Sequence, residues 1–129
     1  MIVLDTHVWL WWVDDSPRLK PAVRERIDAA DACVSAISLM EIATANARGR
    51  LPLLPTPARW FELAQAPDNL RVIPLSDSIC LAAAALPRSF HGDPGDRLIT
   101  ALAKSLDVEL ITADRKILAY REVKTVAAE

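Results

Sequence analysis

Cysteine, histidine and basic excess are scarce in this chain, and each scarcity excludes something. Its 129 residues include two Cys and two His. Cys33 and Cys80 lie far apart in apolar or small surroundings, so they read as reduced, buried thiols of a cytoplasmic protein. Two Cys and two His without clustering argue against a zinc site. No apolar run approaches the ~18 residues of a membrane span. Met1-Ile2-Val3-Leu4 runs straight into Asp5, which reads as a first strand and not as an export signal. Lys and Arg number 15 against 17 Asp and Glu, for a net charge of −2. That balance lacks the basic footprint of most nucleic-acid binders, so such a substrate would need a local patch or a metal ion. Internal repeats and low-complexity segments are absent as well.

What is present is an ordinary globular balance, 52% hydrophobic and 25% charged, in a length that suits one domain over residues 1–129. Ile2-Val3-Leu4 is a short buried strand, and the apolar run Val8–Val13, with Trp9, Trp11 and Trp12, is a helix packed on the sheet. Large aromatics there serve the core or an interface. Ser16-Pro17 reads as a cap and first turn of a helix through Ile27, with Leu19, Val23 and Ile27 as its apolar stripe. Ala32–Ser35 is a second strand. Ser38-Leu39-Met40-Glu41 matches a capping box opening a helix through Ala47, which Gly49 stops. Three prolines make Leu51–Pro57 a connector. A helix over Ala58–Ala66, a third strand over Leu70–Ile73 and a helix from Ser76 to Leu86 follow. Asp93-Pro94 caps and opens a helix to about Leu106. Val108–Thr112 is a fourth strand, Asp114 starts a short helix through Leu118, and Val123–Val126 is an edge strand. Alternating strands and helices with short, continuously apolar strands predict an α/β sandwich on a mainly parallel sheet.

In such a sheet, ligands bind beyond the carboxyl ends of the strands. Asp5 ends strand one, Glu41 sits in the first turn after strand two, and Asp114 lies just past strand four. Asp96 reaches the same edge if the loop after the Ser76–Leu86 helix climbs back. That helix spans about 16 Å, and residues 87–92 can reach about 20 Å when extended. Glu41, Asp93 and Asp114 also have readings as helix caps, and Asp96 has one as dipole compensation. Asp5, directly after a buried strand, has no helix-surface role to play. Two unit charges ~5 Å apart repel by ~3 kcal/mol at an effective dielectric of ~20, so four clustered acids call for a counter-charge. Oxygen ligands without nearby Cys or His favour Mg2+ or Mn2+, and an ion so held suits phosphodiester hydrolysis. His7 and His91 are candidates for phosphate contact or proton transfer.

Four segments carry a family resemblance: Ile2-Val3-Leu4-Asp5-Thr6-His7, Ser35 to Ala43, His91-Gly92-Asp93-Pro94-Gly95-Asp96-Arg97-Leu98-Ile99, and Leu110-Ile111-Thr112-Ala113-Asp114. In this order and spacing the chain resembles a PIN-domain nuclease, more narrowly a VapC-type toxin of a type II toxin–antitoxin pair. The resemblance implies a three-layer α/β/α sandwich with a central sheet of four or five strands. It implies an endoribonuclease dependent on Mg2+ or Mn2+, with Asp5, Glu41, Asp96 and Asp114 as catalytic metal ligands. Ser38 and Thr112 would orient carboxylates, and Asp93 would be accessory. It also implies an RNA substrate, a homodimer and a cognate antitoxin protein, with the Trp-rich first helix and the Ala58–Ala66 region as interface surfaces. Arg48, Arg50, Arg59, Arg97, Arg115 and Lys116 are plausible phosphate contacts. The alternatives are a metal-dependent phosphatase, disfavoured because Asp5-Thr6-His7 lacks a second acid two residues on, and a non-catalytic binding module.

Overall fold

Strand alternation organises the molecule. In a computed structural model describing residues 1–129, five strands form one parallel sheet: β1 (Ile2–Leu4), β2 (Ala32–Ser35), β3 (Leu70–Ile73), β4 (Glu109–Thr112) and β5 (Thr125–Ala127). Their spatial order is β3-β2-β1-β4-β5. Successive side chains of a strand face opposite ways. Ile2, Leu4, Ala32, Val34 and Ile111 therefore enter one core, and Val3, Cys33 and Leu110 enter the other. Both faces are covered, which is why the strands are continuously apolar.

Seven helices cover the two faces: α1 (Thr6–Val13), α2 (Pro21–Ala29), α3 (Ala36–Ala47), α4 (Pro57–Gln65), α5 (Asp77–Ala84), α6 (Pro94–Leu106) and α7 (Arg115–Ala119). Trp9 and Trp11 of α1, Val23 and Ile27 of α2, and Trp60 of α4 fill the first core. Ile99, Leu102 and Ala103 of α6, with Ile117 of α7, fill the second. None of the helices is long and apolar enough to cross a membrane.

Chain order moves from β1 outward to β2 and β3, then returns to β4 on the other side of β1. The sheet's topological switch point thus lies between β1 and β4, where open α/β folds form their ligand crevice.

Several local expectations are corrected. α2 opens at Pro21 and not at Pro17. A helix begun at Pro17 would place Pro21 four residues in, where it removes a hydrogen bond and clashes with the preceding turn. Ser35, not Ser38, caps α3, with its Oγ accepting from the Ile37 N–H at 3.2 Å. The capping box does not form, because the helix starts directly after β2; Ser38 lies inside it and Glu41 falls in its second turn. Cys80 is exposed on α5, while Cys33 is buried. The last strand is displaced to Thr125–Ala127 and leaves Val123 in the second core.

Candidate active site

The carboxylates are placed by element ends. Asp5 leaves β1 and caps α1; its Oδ1 accepts from the Thr6 N–H at 2.8 Å. Its Oδ2 accepts from the Thr112 hydroxyl at 2.6 Å. Thr112 ends β4, and its Oγ1 also accepts from the Asp114 N–H at 3.0 Å. One hydroxyl at the switch point therefore fixes two acidic residues. Asp114 caps α7, its Oδ1 accepting from the Lys116 and Ile117 N–H groups at 2.8 and 3.3 Å, which leaves Oδ2 uncommitted. Asp93 caps α6, its Oδ1 accepting from the Asp96 N–H at 3.0 Å. Asp5 is thus a helix cap too, against expectation, because α1 starts directly after β1, and both its oxygens accept. In Asp93 and Asp114 one oxygen caps and the other remains, so their capping and site readings are compatible.

Glu41 is held by a residue that the sequence reading passed over. The Thr6 hydroxyl donates to Glu41 Oε1 at 2.6 Å and lies 2.7 Å from Ser38 Oγ. A hydroxyl has one proton to give, so Ser38 donates to Thr6 and Thr6 donates to Glu41. Ser38 thus orients the carboxylate at one remove. The available signal was the position of Thr6: a hydroxyl in the first helical turn, directly after a strand-end acid. Gly95 is the second omission. A Cβ there would lie 2.6 Å from Glu41 Oε2 and 3.3 Å from Asp93 Oδ1. A glycine in a helix's first turn signals close approach, and here a carboxylate fills the space.

Asp96 meets His91, with Nε2 and Oδ2 2.5 Å apart. Ligand atoms of His91, Asp96 and Asp114 all lie within 4.8 Å of one another. The loop that brings His91 there is anchored on buried Phe90, which stacks on His91 at 4.6 Å and meets Tyr120 edge-on at 5.1 Å. Arg97 ties the same loop down by donating to the Leu86 carbonyl at 2.9 Å. This anchoring is the climb that delivers Asp93 and Asp96 to the upper edge.

Asp5, Glu41, Asp93, Asp96 and Asp114 line one cleft of about 550 Å³. His7 is exposed on its wall. None of the five acids is ion-paired to a Lys or Arg. Burial pushes the Asp5 carboxyl up from its ordinary value, against the pull of the Thr112 and Thr6 hydrogen bonds. Burial likewise raises Glu41 and Asp96, and neighbouring carboxylates add to the rise in each. Of the basic residues read as phosphate contacts, none lines the cleft. Arg97 is spent on the loop carbonyls and Arg59 on Glu62. The cluster is a hard-oxygen donor set with no lysine or arginine paired to it and one imidazole at its edge. It suits a divalent cation chemically.

The interface reading also changes in detail. Trp9, Trp11 and Trp60 are core residues. Half-buried Trp12 and exposed Leu54 and Leu63 line a separate apolar groove of about 430 Å³.

Comparison with known proteins agrees with this architecture. The chain matches the PIN domain family over residues 2–123. It is 36% identical to Ribonuclease VapC22 of Mycobacterium tuberculosis over 126 residues, 97% of this chain and 95% of that protein. Its fold is similar to that of DNA-bound VapBC from Salmonella typhimurium, with a TM-score of 0.73 and 18% identity over 97% of this chain and 96% of that one. It is also similar to FitAcB from Neisseria gonorrhoeae, with a TM-score of 0.71 and 22% identity over 99% and 98% of the two chains. The five-stranded parallel sheet, the match along nearly the whole sequence and the identity to a ribonuclease of this type lead to one conclusion: the chain belongs to the PIN-domain family.

Proposed function

We propose that residues 1–129 form a single nuclease domain, a metal-dependent endoribonuclease that acts as the toxin of a toxin–antitoxin pair. The observation that carries this reading is the convergence of Asp5, Glu41, Asp96 and Asp114, from four separate segments, on one cleft without a paired Lys or Arg. These four carboxylates would hold Mg2+ or Mn2+. When bound, the cation supplies charge neutralisation at the phosphate and lowers the pKa of water. The protein's own part is preorganisation. Thr112 holds Asp5 and the backbone before Asp114, the Ser38–Thr6 relay holds Glu41, and His91 holds Asp96. The carboxylates are thereby fixed before an RNA phosphodiester arrives, so little reorganisation remains during reaction.

The partner in this reading is a cognate antitoxin protein. Ribonuclease VapC22 is 36% identical, and the Salmonella neighbour is a VapBC assembly. The Trp12–Leu63 groove is the apolar surface offered to that partner. Self-association as a homodimer would use exposed apolar side chains such as Met40 and Leu81. The setting is the cytoplasm.

The test is cleavage of structured and unstructured RNAs by purified protein with Mg2+, Mn2+ or EDTA, beside Asp96→Asn. Metal-dependent cleavage that vanishes in a folded Asp96→Asn variant is expected. Cleavage that persists in EDTA would refute the reading. So would equal activity of the variant.

A further inference from the structure

An acidic cleft that admits an RNA backbone needs a cation to meet it. Among the lining residues Arg18 is the one lysine or arginine. Its guanidinium carbon lies 4.4 Å from the centroid of the Trp11 ring, and Trp11 is held in the core at 7% exposure. The guanidinium therefore sits over a fixed wall.

This cation is already engaged. Arg18 Nε donates to Glu129 Oε2 at 2.8 Å, and Nη2 donates to Oε1 at 3.3 Å. Glu129 lines the same cleft, and the Arg18 hydrogen bond keeps its carboxyl below the usual carboxylate range. Its placement comes from the backbone. Ala128 is fully buried; its N–H donates to the Thr112 carbonyl and its carbonyl accepts from the Lys20 N–H, both at 2.9 Å. The ladder of β5 thus delivers Glu129 to the rim beside the segment that carries Arg18. Each partner has its own anchor, Trp11 for one and Ala128 for the other, so the pair can open without a change of fold.

The two side chains are 60% and 46% exposed. An ion pair so exposed contributes little to stability. Its two-toothed geometry is also the one with which a guanidinium grips a phosphate. We propose that Arg18 is the subsite for a phosphate of the RNA backbone next to the cleavage site, and that Glu129 occupies it as a phosphate mimic until RNA displaces it. This rests on the nuclease reading above.

The experiment is anisotropy binding of a short, mixed-sequence single-stranded RNA in EDTA, over a salt series, with cleavage in Mg2+ run alongside. Arg18→Gln weakens binding about five- to tenfold and makes the log–log salt slope shallower by about 0.7, one phosphate's worth for a single strand. Arg18→Lys keeps the charge without the fork and falls between the two. Glu129→Gln tightens binding about two- to fivefold, the scale of an exposed pair. That gain disappears when Arg18→Gln is also present. Melting temperatures near wild type separate these effects from unfolding. If the gain from Glu129→Gln survives in the double variant, Glu129 acts by general repulsion and the mimicry is refuted. Wild-type affinity and slope in Arg18→Gln would refute the subsite. A wild-type protein that cleaves RNA while the variants bind alike overturns this inference alone; one that neither binds nor cleaves overturns the nuclease reading and this inference with it.

Discussion

Thr112 touches two acidic residues at once, and that makes it the residue on which site geometry turns. Thr112→Val keeps the shape but removes the donor to Asp5 Oδ2 and the acceptor for the Asp114 N–H. The buried Asp5 carboxylate and the half-buried Asp114 N–H are both left short, at about 1–3 kcal/mol. A lower melting temperature together with reduced cleavage is expected, whereas a purely structural Thr112 would change only the first. Gly95 gives the opposite pattern. Ala in that helical turn is favoured by about 0.5–1 kcal/mol over Gly, and the clash falls on the far end of the Glu41 side chain, pushing its carboxylate from the position that Thr6 holds. Gly95→Ala should hold or raise the melting temperature while lowering Mn2+ affinity about tenfold. In a Glu41→Ala background it should change affinity little, because the displaced group is gone. Calorimetric titration of the four proteins measures both effects.

At the scale of elements, α6 and α3 show what could be read and what could not. The start of α6 was legible: Asp93 caps, Pro94 leads, and the helix ends at Leu106 as the apolar spacing indicates. The placement of Asp96 at the cleft was legible as reach and helix length. The start of α3 was not. Ser38-x-x-Glu41 has the spacing of a capping box, yet the preceding strand runs to Ser35 and the helix begins at once. Capping signals are local, while the end of a strand is set by its pairing with neighbours. His91, too, owes its place to the packing of its neighbour Phe90 against Tyr120, which is remote in sequence, and to the hold of Arg97 on the loop. The two acids of α6 should separate in experiment. Asp93→Ala loses a cap worth about 1 kcal/mol and lowers the melting temperature. Asp96→Asn removes a charge that burial disfavours, so it keeps or raises the melting temperature of the metal-free protein while abolishing cleavage.

For the whole molecule, strand order decides where chemistry can occur. Asp5 and Asp114 stand at the ends of β1 and β4, on either side of the switch point, and α3 and α6 bring Glu41 and Asp96 to the same cleft. Strand and helix alternation made this edge foreseeable. The order β3-β2-β1-β4-β5 and the Arg18–Glu129 pair were not, because both depend on which chain segments lie side by side. The concentrated charge also has a global consequence. The Asp5, Glu41 and Asp96 carboxyls are raised in the folded state, chiefly by burial. Between their ordinary values and the raised ones, the folded chain binds more protons than the unfolded chain. Stability of the metal-free protein therefore falls as pH rises through that window, starting near the ordinary carboxylate range of about 4. Thermal melts in EDTA at stepped pH should show this decline. Saturating Mn2+ at neutral pH should reverse it, by about 2.7 kcal/mol at a hundredfold excess over Kd.

The proposed divalent-cation site rests on carboxylates that no lysine or arginine pairs with. Calorimetric titration of Mn2+ into the wild-type protein and into Asp5→Asn and Asp96→Asn, each verified as folded, measures whether these carboxylates hold the ion. Saturable binding to the wild type and at least a tenfold loss of affinity in each variant are expected. Folded wild-type protein that takes up no Mn2+ or Mg2+, or variants that bind as well as wild type, would contradict the proposed site.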